Sequence, residues 1–196
     1  MKYKEIEFVC GSNNGRSPVA EAVGRKTAQQ LGIEGEIIIS SSGTIVDTTS
    51  LTNLGTMLLP YAEAAARNGL ISHERIKQIE DDPRGVLDEL IAIEEGWRNR
   101  YIADEIGLDY TGHIRRQTVA SPGERLILSV DETTLRMTRT IYSSFDYNPT
   151  IESLPSFVGS DLELHQIGIG GYDDYKALAQ KVDAAAREAV LKSMRS

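Results

Sequence analysis

Ile6-Glu7-Phe8-Val9-Cys10-Gly11-Ser12-Asn13-Asn14-Gly15-Arg16-Ser17-Pro18 sets the chain's single cysteine at the end of a short alternating strand, with an arginine at the start of the following helix. Residues 19 to 32 have helical composition, with Ser17 predicted as N-cap, Pro18 as the first helical position and Gly32 as the stop. Strand, glycine-bearing polar loop and helix thus follow in order. The backbone N–H groups of such a loop, with those of the helix's first turn, form a concave nest whose partial positive charge suits a phosphate dianion. Arg16 adds a planar fork able to hold two phosphate oxygens, and the same field favours a nucleophilic thiolate at Cys10. Gly11, Ser12, Asn13, Asn14, Gly15, Arg16 and Ser17 are therefore the candidate phosphate-binding residues, with Cys10 and Arg16 the candidate catalytic pair and Ser17 a hydrogen-bond donor to the sulfur. The bland alternative is that a lone thiol is a small buried hydrophobe. Spacing by itself does not decide between them; the flanking strand and helix carry the reading.

At these residues the chain resembles the low-molecular-weight protein tyrosine phosphatase superfamily, whose phosphate loop reads Cys-x-Gly-Asn-x-Cys-Arg-Ser-Pro and continues Met/Ile-Ala-Glu-Ala. Cys10, Asn13, Arg16, Ser17, Pro18, Ala20, Glu21 and Ala22 match. The resemblance implies that Cys10 forms a phosphocysteine, Arg16 grips the phosphoryl oxygens, Asn13 braces the loop and Ser17 stabilises the thiolate. Two positions depart. Ser12 replaces the family's glycine, a feature shared with the branch that dephosphorylates serines of the RNA polymerase II C-terminal domain, and Gly15 replaces the second loop cysteine.

Composition bounds the rest. The chain has 196 residues, of which 40% are hydrophobic and 26% charged, and no apolar run near the ~20 residues of a membrane span. Met1-Lys2-Tyr3-Lys4 leads into a short strand and not a long apolar core, so export is not expected and the expectation is a cytoplasmic protein without a membrane partner. One cysteine excludes an internal disulfide, a thiolate metal cluster and a redox relay within the chain. A net charge of -8 argues against a nucleic-acid groove.

Further along, Glu36-Ile37-Ile38-Ile39 reads as a strand buried on both faces, ending in the serine-rich turn Ser40-Ser41-Ser42-Gly43-Thr44. The family has Ser-Ala-Gly-Thr there, with its serine bonded to the phosphate loop, which implies that role for Ser41. A second block of resemblance runs through Glu105–Asp109, His113–Gln117 and the third strand Arg125–Asp131; it implies a structural and not a catalytic role for His113. Residues 45 to 104 are far longer than the corresponding family segment. Leu54, Leu58, Tyr61 and Ala65 keep helical spacing up to Asn68-Gly69, Ser72 is placed to cap a helix to Glu80, and Val86, Leu90, Ile93, Trp97 and Tyr101 mark a third stripe. This helical insertion is expected to shape substrate access, to carry a homodimer contact, or both.

Near the C-terminus the family carries its general acid as Asp-Pro on a mobile loop, and no Asp-Pro occurs in this region. Aligning the flanking segments puts Gln166 at the acid position, which cannot deliver a proton. Asp161 ranks first as a substitute, with Glu163 and His165 as alternatives; each is equally readable as an ordinary solvated loop residue. Tyr175, Leu178, Val182, Ala185 and Ala189 then mark a C-terminal helix.

These elements predict one α/β domain over residues 1–196, a three-layer α/β/α arrangement around a four-stranded parallel sheet, with the helical insertion at about 45–104. The expected activity is phosphomonoester hydrolysis through a phosphocysteine on a phosphorylated protein or small phosphomonoester, releasing inorganic phosphate, with no metal or cofactor. The phosphotyrosine specificity comes from the resemblance. A C-terminal-domain-type phosphoserine phosphatase, and a phosphate- or phosphoprotein-binding module that has lost turnover with its acid, are the alternatives.

Overall fold

The computed structural model describes residues 3–46, 54–161, 164 and 170–195. Strands β1 (Glu5–Cys10), β2 (Ile38–Gly43), β3 (Arg125–Ser129) and β4 (Thr150–Ser153) form a parallel sheet in the order β2-β1-β3-β4. Register runs from Glu5 opposite Ile38 to Cys10 opposite Gly43 on one side of β1, and from Glu5 opposite Arg125 to Val9 opposite Ser129 on the other. The chain leaves β1 toward one edge and returns on the other side of it. The crevice between the carboxyl ends of β1 and β3 is therefore the switch point where ligands bind in open α/β sheets.

Alternation along β1 decides which helices cover which face. Ile6 and Phe8 point into the main core, against Val19, Ala20 and Val23 of α1 (Arg16–Gln30) and Val182, Ala186 and Ala189 of the C-terminal helix. Val9 points the other way, packing with Ile127 and with Tyr142 of the helix that follows β3. Glu7 shares that second face, where Arg125 Nη2 donates to its Oε2 at 2.7 Å and Ser42 Oγ donates to its Oε1 at 2.5 Å. Burial pushes the Glu7 carboxyl up, and its hydrogen bond from Ser42 and the Arg125 charge offset this only in part. Helices thus cover both faces, as the three-layer expectation required.

Three local expectations change. Helix α1 starts at Arg16 with Gly15 as N-cap and no side-chain cap, so Ser17 lies inside the first turn; its hydroxyl is committed to the loop instead. The second strand is Ile38–Gly43, displaced toward the serines, and it is the sheet's edge strand, with β1 on one side and on the other only an isolated bridge from Gly43 to Gln117, which leaves Ile38 64% exposed. The serines belong to the strand and not to a turn because β1 offers them carboxylates: Ser42 bonds Glu7 and Ser40 Oγ bonds Glu5 at 3.2 Å. Third, Tyr61 is largely exposed, and the buried stripe of its helix runs through Leu58, Ala62, Ala65 and Ala66.

Between β2 and β3 stand helices α2 (Leu54–Arg67), α3 (His73–Lys77) and α4 (Pro83–Tyr101), then a π-helical turn, Ile102–Ile106. Gly69, with φ 69°, closes α2 in the left-handed conformation that glycine adopts without strain, as the Asn68-Gly69 signal implied. Helix α3 is shorter than predicted, and Ser72 makes no side-chain cap. Asp82 caps α4 by accepting from Gly85 N. Val86 and Leu90 of α4 join α2 in a second apolar cluster, whereas Trp97 and Tyr101 belong to the main core. One helix therefore ties the second apolar cluster to the main core. Helices α5 (Glu132–Ser143), α6 (Leu154–Val158) and α7 (Tyr172–Arg195) complete the chain. Among the described residues no helix is long and apolar enough to cross a membrane.

Candidate active site

Residues 11 to 15 leave the end of β1 and fold back over Gly43 at the end of β2. Thr44 N donates to Cys10 O at 3.0 Å and Ile45 N to Gly11 O at 2.9 Å. Among the described residues, the N–H groups of 11 to 15 donate to no protein acceptor. A row of unspent amides at a helix start is what an oxyanion requires.

Asn13 holds the loop in this shape. Its φ of 52° lies in the left-handed region, which asparagine tolerates better than other residues bearing a Cβ. Its side chain is fully engaged: Nδ2 donates to Ser17 Oγ at 3.2 Å and to Ser41 Oγ at 2.9 Å, and Oδ1 accepts from Arg116 N at 2.7 Å. Ser41 passes the bond on to Glu21 Oε2 at 2.5 Å, so it occupies the place the resemblance implied. Glu21 is buried and also pairs with Arg25 and Arg116. His113 Nε2 lies 3.2 Å from Asn13 O, and because a carbonyl only accepts, the proton sits on Nε2. Burial and the Arg98 charge hold that imidazole below its ordinary value, in the neutral form that braces the loop.

Cys10 is buried, with Ser17 Oγ 3.0 Å from its sulfur. The single hydroxyl proton serves either that sulfur or Ser42 O, at 3.2 Å. Arg16 is buried as well, and one end of its fork is anchored: Nη1 donates to Asp131 Oδ2 at 2.6 Å and to Leu164 O at 2.7 Å. Asp131 is itself fixed as the N-cap of α5, accepting from Thr134 N at 2.8 Å. The guanidinium is thus aimed across the switch point from the β3 side.

Burial alone raises the Asp131 carboxyl, but the Arg16 charge and the Thr134 and Arg16 hydrogen bonds outweigh it, so the net shift is downward. A carboxyl depressed in the folded state contributes stability above the ordinary carboxylate range, and that contribution is lost as pH falls through the folded value. Asp131→Asn is accordingly expected to cost roughly 3 kcal/mol at neutral pH, and less as the pH becomes acidic. Denaturant titrations of both proteins from neutral to acidic pH check this; parallel stability curves would refute it.

The outer side of the loop is covered by α4. Asn14 Nδ2 donates to Glu94 Oε2 at 2.8 Å and to Ile91 O at 3.1 Å, and Arg98 Nη1 donates to Asn14 O at 2.9 Å. Arg98 is 1% exposed, and burial lowers its guanidinium from the ordinary value despite the neighbouring Glu95. Tyr175 of α7 reaches Gly15 O at 3.5 Å and packs against Trp97, ring centroids 6.0 Å apart.

The structure thus brings together Cys10, the loop through Ser17, and Ser41. It leaves Asp161 exposed beyond α6, three residues before Leu164, whose carbonyl touches Arg16. Glu163, His165 and Gln166 lie outside the described residues. Asp131, Glu94 and Arg98 were assigned no role from sequence, and Glu21 was noted only as matching the family motif. Asp131 had a signal, an acidic residue directly after a buried strand at the sheet's carboxyl end. Glu94 and Arg98 had none, since they lie about eighty residues from the loop they touch.

The sequence model described as low molecular weight phosphotyrosine protein phosphatase matches residues 5–104. No curated protein matches. Among solved structures, the Bacillus subtilis arginine phosphatase YwlE, in a mutant with a phosphorylated active-site serine, is 14% identical with a TM-score of 0.61, covering 98% of this chain and 97% of that one. A low-molecular-weight protein tyrosine phosphatase from T. tengcongensis is 15% identical with a TM-score of 0.60, over 96% and 98%. The drosophila arginine phosphatase DARP is 17% identical with a TM-score of 0.58, over 97% and 98%. At these identities the likeness establishes the fold.

Proposed function

Given that the chain belongs to the low-molecular-weight phosphotyrosine protein phosphatase family, we propose that it hydrolyses phosphomonoesters in two steps through a phosphocysteine at Cys10. The observation that carries this is the row of unspent amides from Gly11 to Gly15 beside a buried cysteine and an anchored arginine. In the first step the Cys10 thiolate attacks phosphorus. The bond to the substrate oxygen breaks, and that oxygen takes a proton from a carboxyl we assign to Asp161. In the second step water attacks phosphorus, giving its proton to the same carboxylate, and the phosphorus–sulfur bond breaks to release inorganic phosphate with the thiolate restored. Arg16 and the loop amides neutralise the equatorial oxygens throughout.

Support for Asp161 is positional. Gly159 ends α6 in the left-handed conformation, Asp161 is exposed just beyond it, and the Leu164 carbonyl, three residues further on, accepts from Arg16. Glu163 and His165 share that stretch. An acid in the first step contributes roughly 10²- to 10⁴-fold for a poor leaving group and little for a good one. Asp161→Asn should therefore slow an alkyl phosphate by roughly 10²-fold or more while sparing an activated aryl phosphate; equal effects on both would exclude Asp161 as the acid. Tight phosphate binding with no turnover of either ester would replace catalysis by a binding module. Phosphotyrosine is the substrate that the family description names, and two fold neighbours are named arginine phosphatases, so phosphoarginine belongs in the same assay. A phosphorylated protein as partner and a cytoplasmic location fit a chemistry that needs a free thiolate in a reducing compartment.

A further inference from the structure

Helix α4 holds one carboxyl against the phosphate loop for which the two-step reaction above has no use. Glu94 accepts from Asn14 Nδ2 through Oε2, and its Oε1 stands where a Cβ on Gly15 would project, so any side chain at position 15 would displace it. Asn14 is fully buried, and its amide is kept in this orientation by the second bond to Ile91 O. That choice leaves Asn14 Oδ1 without a partner among the described residues, so the contact with Glu94 is kept at the expense of another hydrogen bond. The charged and titratable groups around Glu94 come from several elements: Arg16 on α1, Arg98 and Glu95 on α4 itself, and Tyr175 on α7, which is within electrostatic range of both Glu94 and Cys10.

Neither cation neutralises this carboxyl. Arg16 Nη1 pairs with Asp131, and Arg98 Nη1 bonds Asn14 O and, among the described residues, pairs only with Glu95, at 3.9 Å. Among the described residues Glu94 is in no ion pair, yet it adjoins Asn14 and Gly15, two residues of the loop built for an anion. A second negative charge bound beside this half-buried carboxylate is unfavourable. Burial already pushes the Glu94 carboxyl up more than Asn14, Arg16 and Arg98 pull it down.

We propose that oxyanion binding in this loop is coupled to proton uptake by Glu94: the loop binds a phosphoryl dianion tightly when the Glu94 carboxyl is neutral, and the carboxylate is a rival anion. The proposal rests on the phosphate-loop reading above. A bound dianion makes Glu94 harder to ionise, so the complex loses this proton at higher pH than the free protein does. Between those two points affinity falls by about tenfold per pH unit, and it is level on either side. Helix α4 thereby gives the pocket an alkaline limit independent of substrate ionisation.

The test uses sulfate, whose charge is constant from acidic to alkaline pH, and the full-length Cys10→Ser protein, which removes the thiolate's own proton exchange. Binding is followed by fluorescence of Trp97, the only tryptophan, which lies on α4 against Tyr175. Cys10→Ser should bind sulfate with the pH slope described, and adding Glu94→Gln, which keeps an acceptor for Asn14, should flatten the slope and tighten binding at alkaline pH by roughly tenfold or more. Calorimetry of Cys10→Ser in buffers of different protonation enthalpy, which needs no second substitution to fold, should give about one proton taken up per sulfate within the window. The same slope in both variants, or no proton uptake, would overturn the coupling while leaving the phosphate loop intact. No sulfate binding by either variant would overturn the phosphate-loop reading and the coupling with it.

Discussion

Cys10→Ser is expected to reduce turnover of an activated aryl phosphate by on the order of 10⁴-fold or more while oxyanion binding persists. The two outcomes separate because they depend on different atoms. Attack on phosphorus needs a sulfur that is already anionic, and the partner beside it is the Ser17 hydroxyl, which cannot take a proton from a serine put in its place. In the proposed reaction, binding instead depends on the backbone amides of residues 11 to 15 and on Arg16, whose anchoring to Asp131 and Leu164 O does not involve position 10. Steady-state kinetics with the aryl ester, beside phosphate titration of the same protein, reads both. A variant that retains activity within about tenfold would remove Cys10 as the nucleophile.

Gly43→Ala should be the most damaging single methyl added near this site. A Cβ on Gly43 would lie 2.5 Å from both Asn13 N and Gly11 O, and these are backbone atoms that no rotamer change can move. The glycine's own groups are also committed, since its N–H donates to Arg116 O and its carbonyl accepts from Thr118 N, both at 2.8 Å. Relief therefore comes only by shifting the loop off the end of β2. We expect a stability loss of about 3 kcal/mol and, because displacement of about 1 Å at a reacting group costs roughly 10²-fold, a fall of that order in kcat/KM. Thermal unfolding and aryl phosphate kinetics check the two effects. Native stability together with native activity would show that the loop does not depend on this contact.

The loop from Cys10 to Ser17 was legible because everything that shapes it is local. Cys10, Asn13, Arg16 and Ser17 lie within one strand-loop-helix turn, where residue type and spacing translate directly into backbone shape and hydrogen bonds. Gly43 was legible as part of Ser41-Ser42-Gly43-Thr44, although its reason was not: only the approach of residues 11 to 13 shows that a Cβ cannot fit. The placement of β2 was misjudged for a related cause. Three consecutive isoleucines read as a strand buried on both faces, and nothing local reveals that the strand lies at an edge or that Glu5 and Glu7 of its neighbour would take the serine hydroxyls.

Sequence by itself determined the sheet's helical covering, and it picked out Cys10 and Arg16 as the candidate pair and Asn13 as brace, since each follows from a short pattern acting over a few residues. Tertiary structure alone decided how Arg16 is aimed and what stands over the loop. Asp131 meets Arg16 across the switch point, and α4 brings Glu94 and Arg98 to Asn14 from about eighty residues along the chain. Those contacts depend on packing between elements distant in the chain, where burial sets the strength of a charge and no periodicity or spacing encodes which side chain will arrive.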